Sequence, residues 1–313
     1  MRNIITIDIG ASKIRFMTVN EKKEMTEYLD TPPVNLVSHK LNNQELVKLL
    51  TNNISRSIDD IKKEGNTVSA VSIGSPGPLD PIKGIIQNPP NLKGLKNLAI
   101  VDELKKIFNI PVFLLNDAEA ASLGEWWLRD HKGYKNIIYL TLSTGVGSGE
   151  IKDGQLKMGS ELGHKPLAVD GEERTCSCGE LNHVEAYLGT KGLAEIYSKI
   201  FELKLADLEP EKRHSTSRKM RKGVADLDPK WLAVQETYAK YLAIFLKDVA
   251  TKFRPELIIL GGGIVFGNEP LLAKAKEEIA KISSEESAKI ELAQSGYNVN
   301  LGAAKYAFEE MAK

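Results

Sequence analysis

Twice in this chain a short β-branched run ends in a turn and is followed by an arm able to fold back on it. Ile4 to Asp8 leads into Gly10, with residues 13 to 20 alternating as the second arm. Ile137 to Leu142 leads into Ser143-Thr144-Gly145-Val146-Gly147, and Gly147 to Ile151 can return against it. Such runs bounded by glycine read as buried strands that end in turns. The repetition is a duplicated plan, with an acid closing the first copy, glycines closing the second, and a cleft expected between them. Elsewhere strands alternate with helices. Leu46, Leu49, Leu50, Ile54, Ile58 and Ile61 recur at three and four, which predicts a helix from Gln44 to Glu64. A strand follows from Val68 to Ile73, then a helix near Ile100 to Phe108, a strand from Val112 to Leu115 and a helix from about Asp117 through Trp127. Helices are predicted over 185 to 203 and 229 to 253, a strand over Leu257 to Leu260, and a last helix over Ala303 to Ala312. This alternation points to α/β layers, and 313 residues allow two domains with ample core.

Balanced charge, 42 basic against 42 acidic side chains, argues against a protein that holds nucleic acid or an anionic membrane by bulk charge. The dense basic run Lys212, Arg213, Arg218, Lys219, Arg221 and Lys222 reads as a solvated loop or helix face. Two cysteines in so long a chain do not make a disulfide scaffold, and a bridge across one intervening residue would close a strained ring. The pair fits metal binding in a reducing compartment better. The N-terminus runs directly into Ile4-Ile5-Thr6-Ile7 without a signal-peptide pattern, and no apolar stretch reaches the roughly 18 residues a membrane span needs. A cytoplasmic protein with neither membrane nor nucleic-acid partner is expected.

Several residues carry chemistry. Asp8, Gly10, Ser12 and Lys13 set an acid, a permissive backbone, a hydroxyl and an ammonium in one turn, a set suited to a metal-bound polyphosphate; Asp8 could equally be a local turn cap. Thr144, Gly145 and Gly147 repeat the theme with backbone amides at a strand end. Asn116-Asp117 stands where a strand passes into a helix, so Asp117 could cap that helix or act as a general base on a hydroxyl, with Asn116 holding a ligand beside it. His164, Cys176, Cys178 and His183 are a Cys₂His₂ donor set for zinc, although C-x-C is shorter than the usual C-x₂₋₄-C. Residues 155 to 183 show little periodicity, so something must hold them, and metal is one candidate. Glu161 and Glu185, taken singly, read as surface acids.

Together these motifs resemble the ROK family, whose sugar kinases and repressors share the actin-like, hexokinase-type (ribonuclease H-like) two-domain ATPase fold. The resemblance runs from Asp8 to the last helix. It implies N-terminal and C-terminal α/β domains, 1–116 plus 303–313 and 117–302, with an interdomain cleft and a zinc-binding segment at 155–185. Asp8 to Lys13 resembles the family's first phosphate loop and Leu142 to Gly149 its second, while Gly261, Gly262 and Gly263 look like the approach to the nucleoside. Gly74 to Pro78, which includes Gly77, and then Asn91 resemble the sugar-side segment. Asn116 and Asp117 match the catalytic pair, with Asp117 as the base, and Glu161, His164 and Glu185 match further sugar contacts. The family's zinc signature continues C-x-C-G-x-x-G-C-x-E; here Asn182 stands where glycine is usual and His183 where the third cysteine is usual. The resemblance implies ATP with Mg²⁺, a structural Zn²⁺, and phosphoryl transfer to the 6-hydroxyl of a hexose or N-acetylhexosamine. Ser160 to Tyr187 leans toward N-acetylmannosamine kinases, with glucokinase and N-acetylglucosamine kinase as alternatives. A homodimer is expected on the same analogy. The family's repressors carry a helix-turn-helix before the acid-bearing strand; with Asp8 the eighth residue, a kinase rather than a DNA-binding repressor is expected.

Overall fold

The computed structural model describes residues 2–10, 13–29, 41–90, 92–130, 133–169, 171–205, 215–282 and 288–313. Ser12, Asn91, Lys212 and Arg213 lie outside the described residues. In chain order the elements are β1 (Arg2–Ile9), β2 (Ile14–Asn20), β3 (Met25–Leu29), α1 (Asn43–Lys63), β4 (Thr67–Ser75), β5 (Leu79–Asp80), β6 (Ile85–Ile86), α2 (Ile100–Phe108), β7 (Val112–Asn116) and α3 (Asp117–Leu128). There follow β8 (Ile137–Leu142), β9 (Val146–Lys152), β10 (Gln155–Lys157), a 3₁₀ turn (Leu162–His164), α4 (Val184–Leu188), α5 (Thr190–Ile200), α6 (Thr216–Ala225), α7 (Pro229–Phe253), β11 (Leu257–Gly261), α8 (Glu269–Ile282), β12 (Lys289–Leu292) and α9 (Asn298–Glu310).

Contacts divide the chain into two compact units, Met1–Lys132 with Tyr297–Lys313, and Gly133–Gly296. The first holds a five-stranded sheet in the order β3-β2-β1-β4-β7, antiparallel from β3 to β1 and parallel from β1 to β7. β1 is buried on both faces, which is why its sequence is nearly continuously apolar. Ile5, Ile7 and Ile9 pack with Leu46, Leu50 and Ile54 of α1 and Leu104 of α2. Ile4 packs on the other side with Trp127 of α3 and Leu301, Ala304 and Phe308 of α9. The second unit repeats the plan as β10-β9-β8-β11-β12, again antiparallel and then parallel. Its core gathers Ile138, Leu140, Leu142 and Leu260 against Tyr187, Tyr238, Leu242 and Phe245.

The unit boundary falls after residue 132, not after 116, and the returning segment begins at 297, not 303. The reason is a close helix crossing. A β-carbon on Gly302 of α9 would lie 1.6 Å from the Ala120 carbonyl oxygen, and one on Gly124 of α3 would lie 2.1 Å from that of Asn298. The backbones of α3 and α9 thus touch directly, and α3 belongs with the first sheet. The last helix starts at Asn298, earlier than its apolar spacing suggested, because Asn300 is buried and donates to the Thr6 hydroxyl at 3.1 Å. The predicted helix over 185 to 203 is broken at Gly189 into α4 and α5. Arg218, Lys219, Arg221 and Lys222 lie on α6. Among the described residues no helix is long and apolar enough to cross a membrane.

Replacing Gly302 with Ala should destabilise the protein by about 1–3 kcal/mol through overpacking of this seam. Gly296→Ala, where an added β-carbon meets nothing within 4 Å, should stay within about 0.5 kcal/mol of wild type. Urea unfolding followed by circular dichroism measures both.

Candidate active site

In the first unit, β1, β4 and β7 end together. The register pairs Asp8 with Gly74 and Ser75 with Asn116, so Asp8, the turn after β4 and the Asn116-Asp117 pair line one carboxyl edge. Ligands of open α/β sheets bind at such edges. The Asn116 side-chain oxygen caps α3, accepting from the amides of Ala118 at 2.9 Å and Glu119 at 3.3 Å. The capping role open to Asp117 is therefore filled by its neighbour. Asp117 is the first residue of the helix, its Oδ1 accepting from the Ala118 amide at 2.8 Å, and the positive end of the helix faces that carboxylate. A β-carbon on Gly77 would lie 3.5 Å from Asn116 Nδ2, which places these two side by side.

Asp8 is largely buried and faces Arg15 across the β1–β2 register, with 3.1 Å from Oδ2 to Arg15 Nη1. Burial pushes the Asp8 carboxyl up, while the Arg15 guanidinium and, less strongly, Lys13 pull it back. Arg15 also stands 5.7 Å from the Tyr297 ring centroid. Gly10 donates its amide to the Lys13 carbonyl at 2.9 Å, closing the turn, and Lys13 is exposed.

In the second unit the glycine turn joins β8 to β9. Two of its amides are already engaged: Ser143 donates to the Gly145 carbonyl at 2.9 Å and Val146 to Glu185 Oε2 at 3.2 Å. Thr190 clamps the turn from α5, its amide and hydroxyl both donating to the Ser143 carbonyl at 2.9 and 2.8 Å. Thr144 is exposed, and Gly147 pairs with Thr141 in the hairpin. Neither Gly145 nor Gly147 has a positive φ; a β-carbon on Gly145 would come within 2.3 Å of Glu185 Oε2 and displace that carboxylate. Gly261 to Gly263 lies at the same edge. Gly262 has a φ of +88° and would meet the Leu142 carbonyl at 2.4 Å, and Ile264 donates to that carbonyl at 3.0 Å. Glu161 is exposed, and its carbonyl accepts from the His164 amide at 3.2 Å. The segment rests on β9, because a β-carbon on Gly163 would lie 1.9 Å from the Val146 carbonyl oxygen and Ser148 Oγ accepts from the Leu162 amide at 3.0 Å.

His164, Cys176, Cys178 and His183 offer ligand atoms that all lie within 4.8 Å of one another. Cys176 Sγ is 3.7 Å from His164 Nδ1, and Cys178 Sγ is 3.2 Å from His183 Nδ1. Tetrahedral zinc with two sulfur and two nitrogen ligands places its donors about 3.3–3.8 Å apart, so the donor types suit that ion and the set would need to draw in slightly around it. Burial pushes the Cys176 thiol up, so metal must displace its proton on binding. The segment is also held without metal. Arg174 is buried, pairs with Glu172 at 2.7 Å, and lies 5.0 and 5.2 Å from the ring centroids of Tyr187 and Tyr241. Arg15, Arg174 and Thr190 belong to no motif in the sequence; for Arg15 alone, counting the hairpin register back from the turn would have placed it opposite Asp8.

Residues 4–308 match the model of the ROK family. The chain belongs to the ROK family. A glucokinase from Pyrobaculum calidifontis is 34% identical over 248 residues, 77% of this chain and 79% of that protein. An N-acetylmannosamine kinase from Haemophilus influenzae is 30% identical over 312 residues, 96% of this chain and 94% of that one. The crystal structure of a ROK hexokinase from Thermus thermophilus superposes with a TM-score of 0.78 at 27% identity, covering 99% of both chains. The fold is the actin-like ATPase fold of the ROK hexokinases, and the protein is a ROK-family sugar kinase.

Against the family signature, both departures have a physical reading in this ROK protein. Asn182 has a φ of +58°, a left-handed conformation that glycine adopts freely and asparagine tolerates better than most residues. Its side-chain oxygen also accepts from the Arg174 amide at 2.9 Å and the Tyr187 hydroxyl at 2.7 Å. His183 places Nδ1 beside Cys178 Sγ, where a sulfur ligand would otherwise stand. Asn182→Ala should therefore cost about 1–3 kcal/mol, since it adds strain and leaves the Arg174 amide short of its acceptor, whereas Asn182→Gly should cost less. Thermal unfolding of the two variants ranks them. Purified protein is expected to carry one equivalent of zinc by elemental analysis, and Cys178→Ser should lose most of it.

Proposed function

We propose that this ROK sugar kinase transfers the γ-phosphoryl group of MgATP to the 6-hydroxyl of a hexose or N-acetylhexosamine, with N-acetylmannosamine as its acceptor. Asp117 takes the proton of the attacking hydroxyl. The observation that carries this role is the place of the Asp117 carboxylate, at the N-terminus of α3 directly after β7 on the carboxyl edge. Gly77, Asn91, Asn116, Glu161, His164 and Glu185 contact the sugar hydroxyls; a carboxylate accepts from a hydroxyl, and the Asn116 nitrogen donates to one. Asp8, Gly10, Ser12 and Lys13 of the first unit serve the phosphates, as do Thr144, Gly145 and Gly147 of the second, where Gly261, Gly262 and Gly263 serve the nucleoside. Asp8 would hold Mg²⁺, which would supply countercharge to the phosphoryl oxygens. Zinc at His164, Cys176, Cys178 and His183 would fix the orientation of the His164 ring toward the sugar. An ATP-consuming reaction of this type belongs in the cytoplasm, and a homodimer is the assembly to look for by light scattering.

N-acetylmannosamine is favoured by the stretch Ser160 to Tyr187 and by a match to an N-acetylmannosamine kinase that spans 96% of this chain. A second reading, glucokinase, is favoured by the higher identity, 34%, to the Pyrobaculum enzyme. ADP release with MgATP over glucose, N-acetylmannosamine, N-acetylglucosamine, mannose and fructose separates them: the highest kcat/KM names the acceptor, and silence on all five rejects the hexose kinase reading.

Asp117→Asn keeps the shape and removes the charge. It should lower kcat by about 10²–10⁴-fold while the sugar Kd, measured calorimetrically, stays within a few fold. Near-normal turnover would remove Asp117 as the base.

A further inference from the structure

Glu185 is held from two sides within the Gly133–Gly296 unit. Its Oε2 accepts from the Val146 amide at 3.2 Å. Its Oε1 accepts from the Ser177 hydroxyl, and the Cys176 sulfur lies 3.7 Å from it. Ser177 stands between the two cysteines of the metal set, and Val146 stands in the glycine turn, so one carboxylate ties those loops together. The turn admits it where Glu185 now lies, because a β-carbon on Gly145 would come within 2.3 Å of Oε2 and the carboxylate would have to move. A carboxylate is planar and acceptor-only, so donors from two segments fix its plane as well as its position.

We propose that Ser177 is a positioning residue. Its hydroxyl orients Glu185, and Glu185 in turn sets the backbone of the glycine turn at Val146. The loop between the metal ligands then governs the phosphate side of the reaction as well as the sugar side. This deepens the kinase reading and rests on it for the identity of the turn's ligand, but the contact itself does not depend on turnover. Ser177→Ala keeps every metal ligand and removes one donor; Ser177→Thr restores the hydroxyl.

The first measurement is hydrogen exchange at the Val146 amide by NMR in the ligand-free protein, with zinc content determined on the same samples. Ser177→Ala should speed exchange about tenfold, as expected for loss of a hydrogen bond to a charged group, with zinc at the wild-type level, and Ser177→Thr should return it toward wild type. In kinetics, Ser177→Ala should raise the KM for MgATP severalfold with kcat within about twofold, the split expected when binding geometry and not chemistry is lost. Unchanged Val146 exchange in Ser177→Ala overturns the proposal. Faster exchange accompanied by loss of zinc overturns it too, since Ser177 would then act through the metal. If no sugar in the panel is phosphorylated, the kinase reading fails while the exchange experiment still decides the coupling. If turnover is normal and exchange is unmoved, only the coupling fails.

Discussion

On β1, β4, β8 and β11 charged side chains stand only near strand ends, while the neutral hydroxyls of Thr6 and Ser72 are buried mid-strand. This constraint arranges most of the chemistry. β1 carries its one acid at position 8, and burial there requires a countercharge, which the hairpin supplies as Arg15 directly opposite. β7 passes into α3 with no intervening loop, so the unpaired amides of a helix start arrive at the same edge and need an acceptor. Asn116 is that acceptor, and the Asp117 carboxylate beside it accepts from the Ala118 amide as well. In the second unit β8 and β11 end side by side, and their turns are built from glycine.

Those glycines serve different physical ends. Gly262 is conformational: a φ of +88° is costly for any residue with a side chain. Gly145 and Gly163 are spatial, one leaving room for a carboxylate and the other for a carbonyl. Gly124 and Gly302 let two helices meet backbone to backbone, which seats α3 and therefore the position of Asp117. Within the glycine turn the amides of Ser143 and Val146 are already committed to protein acceptors.

The segment from 155 to 185 is ordered by two independent devices. Four ligand atoms converge at one end, and a buried guanidinium between two tyrosine rings fastens the other. Short bridges Pro166–His183 and Thr175–Leu181 align the halves. Asn182 joins the devices, because its backbone turn delivers His183 to Cys178 while its side chain holds Arg174 and Tyr187. Substituting asparagine for glycine at that point preserves the turn and adds two hydrogen bonds.

Strand and helix positions such as Ile100–Phe108 and Ile137–Leu142 were legible in the sequence, since periodicity and breakers are local and burial of one face is their direct cause. The repeated strand-and-turn plan was legible for the same reason, and so was the donor set of two histidines and two cysteines, because ligand chemistry is a property of residue type. What only the tertiary structure decided depends on contacts between residues distant in sequence. The boundary at 132 follows from α3 meeting α9, Arg15 faces Asp8 through strand register, and Glu185 reaches Val146 across 39 positions. No local pattern encodes which carboxylate fills the space left by a missing side chain; packing in three dimensions decides it.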